Sequence, residues 1–375
     1  MALNFQEYRT RKIINIHKHV DGPWFWGKYT AHPYVGCRSG CDFCYLRGAR
    51  YLGRRDPQTF DSLIQVKINA IELMRRELPR LEKEIFSVGD WQQPAEERYQ
   101  LSRRMLELVL EHRFPLFIIE RSPLLTRDID LLSEINRVAW AGVLFSISSL
   151  DPGLKKAFEP RSPGVKNRLK ALQTLAEAGI YTGVSMMPVI PFVGDRDSQL
   201  EDLVIATRDH GGRCLLSGGL TMDGDQAEWT LNAFRRFNPV LTSRLRKFYS
   251  WPDGGKPNMG PPITYNARLG LKVRELCQKH GILDRMPRYI SAGPLQANKR
   301  IAERLFLKTY DLELECSPAY LIWAYRKAAW TVDEHPNSVL SIYMDKGDAG
   351  LRQLPGIGKS IAPQIAAWLE EEFFN

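Results

Sequence analysis

Residues 36–47 read GCRSGCDFCYLR, so that Cys37, Cys41 and Cys44 fall within one short stretch and Tyr45 follows the last of them directly. The other three of the six cysteines stand singly along the chain: they are Cys214, Cys277 and Cys316. Scattered cysteines do not make a disulfide framework, whereas a cluster in a reducing compartment is typical of metal binding or catalysis. The stretch therefore predicts a metal centre.

The composition around this stretch is that of an ordinary soluble protein. The chain has 375 residues, of which 44% are apolar and 25% charged, enough for one large domain and one small one. It contains no long uncharged apolar run, and its first residues lack an apolar segment before a small-residue cleavage site. We therefore expect a cytoplasmic protein that does not enter a membrane.

The charge is unevenly distributed. Residues 296–375 contain nine Lys and Arg against eleven Asp and Glu, a net charge of −2. Because the whole chain has a net charge of +9, the first 295 residues carry +11. A basic surface favours a polyanionic partner such as nucleic acid. The sequence assigns that surface to the larger part of the chain.

Strand-like and helix-like stretches alternate from the cysteines onward. Six apolar or β-branched stretches have strand length: they read KYTAHPYVG, EIFSVGD, FPLFIIE, GVLFSISS, IYTGVSMMPVI and RCLLSGGL. Strands that alternate with helices predict parallel βα units in an open or partial barrel. The cysteine loop follows the first strand, and ligands bind at the carboxyl ends of such strands.

The pattern changes towards the C-terminus. A Pro- and Gly-rich loop, SWPDGGKPNMGPP, precedes one helical stretch, and beyond Gly293 every segment has helical period. We predict a larger domain over residues 1–294, with its core at about 26–220, and a helical domain over residues 295–375.

Three thiolates suit two kinds of centre. A structural zinc ion takes four protein ligands, and His32 is available to complete a Cys₃His site. A [4Fe-4S] cluster bound by three cysteines keeps one iron without a protein ligand, which S-adenosylmethionine can bind through its amino and carboxylate groups. The spacing alone leaves both open.

The CxxxCxxC spacing, with the aromatic Phe43 between the last two cysteines, resembles the cluster loop of the radical SAM superfamily. Within it, residues 33–220 resemble the spore photoproduct lyase-like group, also called DNA repair photolyase-like, in blocks such as HPYVGCRSGCDFCYLR, SISSLDPGLKKAFEPRSPG and MPVIPFVGD. The resemblance implies a TIM-like partial (β/α)6 barrel. It also implies a [4Fe-4S] cluster, S-adenosylmethionine and a low-potential electron donor such as flavodoxin or ferredoxin.

The resemblance implies roles for individual residues. Cys37, Cys41 and Cys44 would hold the cluster. The residues expected around S-adenosylmethionine are Phe43, Gly89, Asp90, Ser146, Ser148 and Arg161. Four of these have alternative explanations, because Asp90 can cap the next helix, the two serines can fill a barrel, and Arg161 can pair with Glu159 on the surface.

Tyr45 matches a tyrosine that relays a hydrogen atom in the lyase. The lyase also uses a cysteine some tens of residues past the cluster, and this chain has none between Cys44 and Cys214. The resemblance therefore describes the ancestry of the chain better than its reaction.

Two further stretches suggest contacts with nucleic acid. The segment GPWFWGKY offers aromatic rings for base stacking or for packing at the barrel entrance: they are Trp24, Phe25 and Trp26. The segment LRGARYLGRR offers cations for phosphates, although such charges are commonly just solvated: they are Arg47, Arg50, Arg54 and Arg55.

The tail LRQLPGIGKSIAPQIAAWL follows the pattern of a helix-hairpin-helix, in which Gly356 and Gly358 let backbone N–H groups approach a phosphate. Residues 298–368 resemble the small N-terminal domain of the DNA polymerase beta family, which implies contacts from Lys327 and Lys359 to the phosphates of gapped DNA. No lysine follows Lys359, so we expect binding without lyase chemistry. A helical bundle that serves protein contacts or stability is the alternative.

Together these features predict a radical SAM enzyme that reductively cleaves S-adenosylmethionine to a 5′-deoxyadenosyl radical and acts on nucleic acid, in particular damaged or modified DNA. One alternative keeps the enzyme and changes the substrate to RNA or protein. Another is a metal-containing nucleic-acid-binding protein without turnover. The sequence does not specify the lesion, the hydrogen-atom donor, the regeneration of S-adenosylmethionine or the oligomeric state.

Overall fold

The computed structural model describes residues 3–20, 22, 24–53 and 55–374. The chain forms two compact units, the first comprising residues 1–17 with 27–286 and the second residues 18–26 with 287–375. None of the helices in the described ranges is long and apolar enough to cross a membrane.

The strands all belong to the first unit. Numbered along the chain, they are β1 Asn4–Tyr8, β2 Ile14–Ile16, β3 Tyr29–Ala31, β4 Tyr34–Val35, β5 Leu63–Lys67, β6 Phe86–Gly89, β7 Leu116–Glu120, β8 Ala141–Ser146, β9 Tyr181–Val189 and β10 Cys214–Gly219.

The α-helices of the first unit lie between and after these strands. They are α1 Ala49–Leu52, α2 Ala70–Glu77, α3 Glu96–Tyr99, α4 Leu101–Glu111, α5 Ile129–Val138, α6 Pro152–Phe158, α7 Val165–Glu177, α8 Asp197–Asp209, α9 Gly224–Phe237, α10 Val240–Phe248 and α11 Ile263–Lys279. The second unit contains α12 Gln296–Leu314, α13 Ala319–Asp333, α14 Val339–Leu351 and α15 Ala362–Phe373.

One large sheet organises the first unit. Its strand order is β10-β9-β8-β7-β6-β3-β2, in which the strands from β3 to β10 run parallel and β2 pairs antiparallel with β3 at the edge. All six stretches predicted as strands are present, and the first of them divides in two. Its second half, β4, joins β1 and β5 in a separate three-stranded sheet. The predicted α/β fold, a partial (β/α)6 barrel with a helical C-terminal region, is confirmed.

The sheet is covered by helices, as parallel strands require. Every residue of β8 is buried, and its apolar side chains pack with those of β7 and with the apolar faces of α4, α5 and α7. Fully burying one such side chain stabilises the fold by about 1.5–3 kcal/mol. Gly179 ends the turn after α7 with a φ of +80°, a conformation that glycine adopts readily just past a helix C-terminus.

The second unit consists of four helices and the segment 18–26, here called the N-terminal strap. Trp26 is only 1% exposed and meets the ring of Phe306 on α12 edge-on, with centroids 5.7 Å apart. The His19 ring stacks on Trp330 of α13 at 4.3 Å. The prediction that this aromatic stretch stacks bases or lines the barrel entrance is wrong for Trp26, because its indole is packed inside the helical unit.

Candidate active site

Two tight turns shape the cysteine loop. The amide of Gly40 donates to the carbonyl of Cys37 at 3.1 Å, and the amide of Cys44 donates to the carbonyl of Cys41 at 3.2 Å. Cys37 and Cys41 are buried, Cys44 is partly buried, and each of the three thiols lies close enough to another for their charges to interact. The turns therefore gather the three thiols at the carboxyl end of the sheet.

The surroundings of the thiols disfavour free thiolates. Burial raises the pKa of Cys41 to about 11 and, together with the Asp90 carboxylate, that of Cys44 to about 12. Burial and Asp90 also raise the pKa of Cys37 well above its ordinary value. These thiols lose their protons only when a strongly binding metal ion takes their place. Such thiols fit the donor set of an iron-sulfur cluster.

A Cys₃His zinc site is not formed. The ring of His32 interacts with the backbone of Gly89, and burial lowers its pKa to about 4. Across residues 3–20, 22, 24–53 and 55–374, no three His, Cys, Asp or Glu side chains converge on one metal-ion position. A cubane cluster differs in this respect, because each cysteine binds a separate iron.

The turn after β6 meets the cysteine loop. Asp90 adopts a φ of +58°, and the thiol of Cys37 donates to its carboxylate at 3.7 Å. A Cβ at Gly89 would lie 2.8 Å from the carbonyl oxygen of Ile119, so the close approach of β6 to β7 requires glycine there. The helix-capping alternative for Asp90 is wrong, since α3 begins at Glu96 without a side-chain cap.

Sequence reasoning missed Glu120, which ends β7. Its two carboxylate oxygens accept from the amides of Trp91, Gln92, Arg121 and Ser122 at 2.8–3.3 Å. Burial and the neighbouring Asp90 raise its pKa to about 7. Glu120 thereby holds the ends of β6 and β7 in fixed positions.

A second missed feature is a buried charge network. Glu159 accepts from Arg168 at 2.8 Å and pairs with Arg121 at the same distance. Although burial opposes its charge, the two arginines lower the pKa of Glu159 to about 2. The guanidinium of Arg121 also lies 5.4 Å from the centroid of the Phe43 ring and interacts with the charges of Cys41 and Cys44.

Arg161 has a different partner from the one expected. Its guanidinium pairs with Asp61, and 39% of its side chain is exposed. Its expected surface partner Glu159 is buried and bound to Arg121 and Arg168, so that alternative is wrong. Of the two arginines, Arg121 is the one whose charge acts on the cysteine thiols.

Strand β8, which lies beside β7 in the large sheet, contributes hydroxyl groups. Ser146 and Ser148 are both buried where β8 ends, and the carbonyl of Ser146 accepts from Arg168 at 2.6 Å. The hydroxyl of Ser148 is buried without a hydrogen-bond partner in the described part of the chain. A buried polar group of this kind indicates a missing partner, such as a bound ligand.

Tyr45 and Phe43 lie on opposite sides of the last ligand position. Phe43 is buried, whereas Tyr45 is 55% exposed and meets the ring of Tyr51 edge-on at 5.2 Å. Cys214 is the first residue of β10, at the end of the sheet opposite the cysteine loop, and its charge interacts with that of the buried Cys277. Neither of these cysteines is placed to assist Tyr45.

Two arginines of the segment LRGARYLGRR, Arg47 and Arg55, donate their hydrogen bonds to backbone carbonyls of the protein itself. Arg47 is buried against backbone carbonyls, and Arg55 donates to the carbonyls of Val35 and Leu63. Arg50 is exposed, and Arg54 lies outside the described residues. The expectation that Arg47 contacts phosphates is therefore wrong, because its donors are taken by the chain itself.

The second unit brings the predicted hairpin residues together. A Cβ on Gly356 would lie 3.9 Å from the Cβ of Lys327 on α13, and Gly358 and Lys359 are exposed. Pro363 falls in the first turn of α15, where a missing N–H costs no helical hydrogen bond. The apolar face of this helix is buried: it consists of Ala362, Ile365 and Leu369. Phosphate binding by this hairpin stays a prediction.

Residues 32–204 match the model of the Radical SAM superfamily. An uncharacterized protein of Mycobacterium tuberculosis is 29% identical over 261 residues, which covers 68% of this chain and 74% of the relative. A radical SAM Nalpha-GlyT isomerase of Pseudomonas phage M6 is 28% identical over 187 residues, covering 47% of this chain and 36% of that protein.

Among solved structures, a spore photoproduct lyase variant with bound AdoMet and dinucleoside spore photoproduct has a similar fold. The TM-score is 0.55 at 17% identity, covering 75% of this chain and 81% of that one. The similarity of residues 32–204 to the Radical SAM superfamily implies a [4Fe-4S] cluster and S-adenosylmethionine as cofactors.

Proposed function

We propose that this chain is a radical SAM enzyme that reductively cleaves S-adenosylmethionine and acts on nucleic acid, specifically on damaged or modified DNA. The observation that carries the proposal is the set of three thiols, two buried and one partly buried, at the carboxyl end of a partial barrel, next to Asp90 and Arg121. When bound, the cluster supplies the electron that breaks the S–C5′ bond of S-adenosylmethionine.

The chain's own residues prepare this site in two ways. Cys37, Cys41 and Cys44 supply the ligands, and burial keeps them protonated until iron replaces the protons. Arg121, held by Glu159, contributes a fixed positive charge beside the thiols and offsets part of the cost of collecting three thiolates in a buried site.

We assign S-adenosylmethionine to the space between these groups. Burial raises the pKa of the Asp90 carboxyl group. The positive charge of the ammonium group of S-adenosylmethionine would lower this pKa again and favour the ionised carboxylate. The unpartnered Ser148 hydroxyl suits a ribose hydroxyl, and Ser146 lies beside it. We assign the carboxylate of S-adenosylmethionine to Arg121 rather than to Arg161, because the guanidinium of Arg121 interacts with the charges of Cys41 and Cys44 and uses Nη1 for Glu159, whereas Arg161 pairs with Asp61.

Three observations support a nucleic-acid substrate. The first 295 residues carry a net charge of +11, which favours phosphates. The similar fold of spore photoproduct lyase has been solved with a dinucleoside photoproduct. In the second unit, Lys327 lies beside the exposed Gly356 of the hairpin, a geometry suited to a backbone phosphate.

The reaction on the nucleic acid differs from that of the lyase in its hydrogen-atom relay. Tyr45 is exposed beside the cysteine loop and is the tyrosine available to the substrate. Cys214 and Cys277 are buried away from the cysteine loop, so among the first unit's described residues no cysteine other than the three cluster ligands accompanies Tyr45. We propose Tyr45 as the hydrogen-atom carrier and flavodoxin or ferredoxin as the class of electron donor.

The test is anaerobic reconstitution with iron and sulfide, followed by dithionite and S-adenosylmethionine in the presence of gapped DNA, single-stranded DNA or structured RNA at one salt concentration. We expect 5′-deoxyadenosine in every sample and a modified product, detected by mass spectrometry, with DNA. A product with RNA alone would favour an RNA-modifying enzyme. Nucleic-acid binding without any 5′-deoxyadenosine would favour a metal-containing binding protein.

A further inference from the structure

Arg47 stands out among the arginines near the cysteine loop because it is only 1% exposed. It follows the last cysteine by three positions, and its side chain turns back under the loop. Nε donates to the carbonyl of Cys41 at 3.1 Å, Nη2 to the carbonyl of Gly40 at 2.9 Å and Nη1 to the carbonyl of Pro57 at 3.3 Å.

Two aromatic rings hold the guanidinium plane. Its Cζ atom lies 4.1 Å from the centroid of Trp229 on α9 and 4.7 Å from the centroid of Phe60. Cation–π contacts are strongest when the cation is desolvated, as this buried guanidinium is. The side chain is therefore fixed by its faces as well as by its N–H groups.

Among the described residues, the ion pair of this guanidinium is a long one. The carboxylate of Asp61 lies 3.9 Å away and pairs with Arg161, and that of Asp42 pairs with Arg236. Arg47 thus places a positive charge next to the cluster ligands, stabilised by carbonyl dipoles and aromatic faces. Arginine remains charged under these conditions because its ordinary pKa is far above neutrality.

We infer that Arg47 is a positioning residue for the iron-sulfur cluster, which fixes the carbonyls on either side of Cys41 and supplies a permanent positive charge that favours the reduced cluster. The inference rests on the proposed function for the presence of the cluster, and it concerns a residue that no part of that proposal uses. Lysine cannot take its place fully, since an ammonium group has no planar faces and cannot donate to three carbonyls in this fork.

Three variants separate geometry from charge. Arg47→Met keeps the volume and removes both the charge and the donors, whereas Arg47→Lys keeps the charge and loses the fork. Arg50→Met is the matched control, because Arg50 is three positions away and exposed. The readouts are iron and sulfide per chain, the electron paramagnetic resonance spectrum of the reduced cluster, and its midpoint potential from a redox titration.

We expect Arg47→Met to load less iron and its remaining cluster to have a more negative midpoint potential and a changed spectrum. Arg47→Lys should restore the potential towards that of the wild type while its cluster is lost faster under a chelator. Arg50→Met should match the wild type in all three readouts.

A fully loaded Arg47→Met cluster with the wild-type potential and spectrum would overturn the inference. If that variant takes up no iron, Arg47→Lys decides alone, and a lysine variant with wild-type loading, spectrum and chelator resistance would count against the positioning role. The proposed function fails separately, namely when the loaded wild-type protein forms no 5′-deoxyadenosine.

Discussion

The cysteine loop and the hairpin before α15 both bend at a glycine with positive φ, Gly36 at +95° and Gly356 at +77°. At Gly36 a Cβ would lie within 2.9 Å of the carbonyl oxygens of Phe60 and Leu63. At Gly356 the nearest atom would be the Lys327 Cβ at 3.9 Å. The first glycine is required by packing inside the protein, whereas the second leaves open space on the surface.

This difference in packing distinguishes the two proposed binding sites, the cysteine loop and the hairpin. The cysteine loop binds through side chains that are largely buried, so it needs compensating positive charges, which Arg47 and Arg121 provide. The hairpin offers exposed backbone N–H groups and a lysine, which water already solvates. We therefore expect substitutions in the loop to have large effects and those in the hairpin to have small ones.

Replacing a cluster ligand should have the largest effect. Cys41→Ser removes a thiolate from a site that has no spare cysteine, so we expect loss of bound iron and of 5′-deoxyadenosine formation. Cys316→Ser is the matched control, because Cys316 is exposed in the helical unit. Iron analysis after anaerobic reconstitution checks both variants, and a Cys41→Ser protein with full iron content would contradict the assignment.

The second prediction concerns the N-terminal strap. Trp26→Ala empties a fully buried position against Phe306 and should cost the helical unit about 3–5 kcal/mol in free energy of unfolding. Trp323→Ala, at an exposed position on α13, should cost far less. Calorimetry of both variants measures the difference, and equal destabilisation would show that the strap does not support the unit.

The third prediction uses the pKa of Glu159, which the two arginines hold at about 2 in the folded state against an ordinary value of 4.5. The native state binds fewer protons than the unfolded state between these values, so the stability from Glu159 is present above pH 4.5 and is lost as the pH falls towards 2. The contribution is on the order of 3 kcal/mol.

Urea unfolding of the metal-free protein at several pH values tests this. The difference in free energy of unfolding between the wild type and Glu159→Gln should be constant above pH 4.5 and shrink below it. Glu134→Gln is a suitable control, because Glu134 forms an exposed pair with Arg137. A difference that does not change with pH would mean that Glu159 is not ionised in the folded protein.

The fourth prediction distinguishes the two arginines proposed for the S-adenosylmethionine carboxylate. A hydrogen bond to a charged group contributes about 1.5–3 kcal/mol, so Arg121→Met should weaken binding of S-adenosylmethionine by about 10- to 150-fold. Arg161→Met should change it little, because Arg161 pairs with Asp61. Calorimetric titration of the loaded proteins measures both. A larger loss with Arg161→Met would return the role to that residue.

The sequence predicted the elements of the barrel because parallel strands are marked by short apolar runs, and all six of these runs are strands. It predicted the cysteine loop because three thiols in one stretch are rare. It did not reveal Glu120, Arg121 or Glu159, since charged residues look alike in a sequence whether they end a buried strand or face water. Their one signal is position, as Glu120 directly follows an apolar run.

Other failures have a different physical cause. The strap at residues 18–26 ends 270 positions before Gln296, where the first of the helices it packs on begins, and local pattern carries no information about such a pairing. Arg47 resembled its neighbour Arg50 in sequence, yet only one of them is buried. What decides between them is the presence of Trp229 and Phe60, which the fold brings to the loop from other segments.

The smallest predicted effect belongs to the hairpin. Lys327→Gln removes one cation beside Gly356 and should weaken binding to gapped DNA modestly, while the slope of log K against log salt falls by about 0.9, the value for one lost phosphate contact. Lys346→Gln, exposed on α14 and next to Asp345, is the matched control and should leave the slope unchanged. Fluorescence anisotropy at several salt concentrations measures both slopes, alongside iron content, which neither variant should alter. If the slope of log K against log salt is the same for Lys327→Gln as for the wild type, Lys327 and Gly356 do not bind a phosphate together.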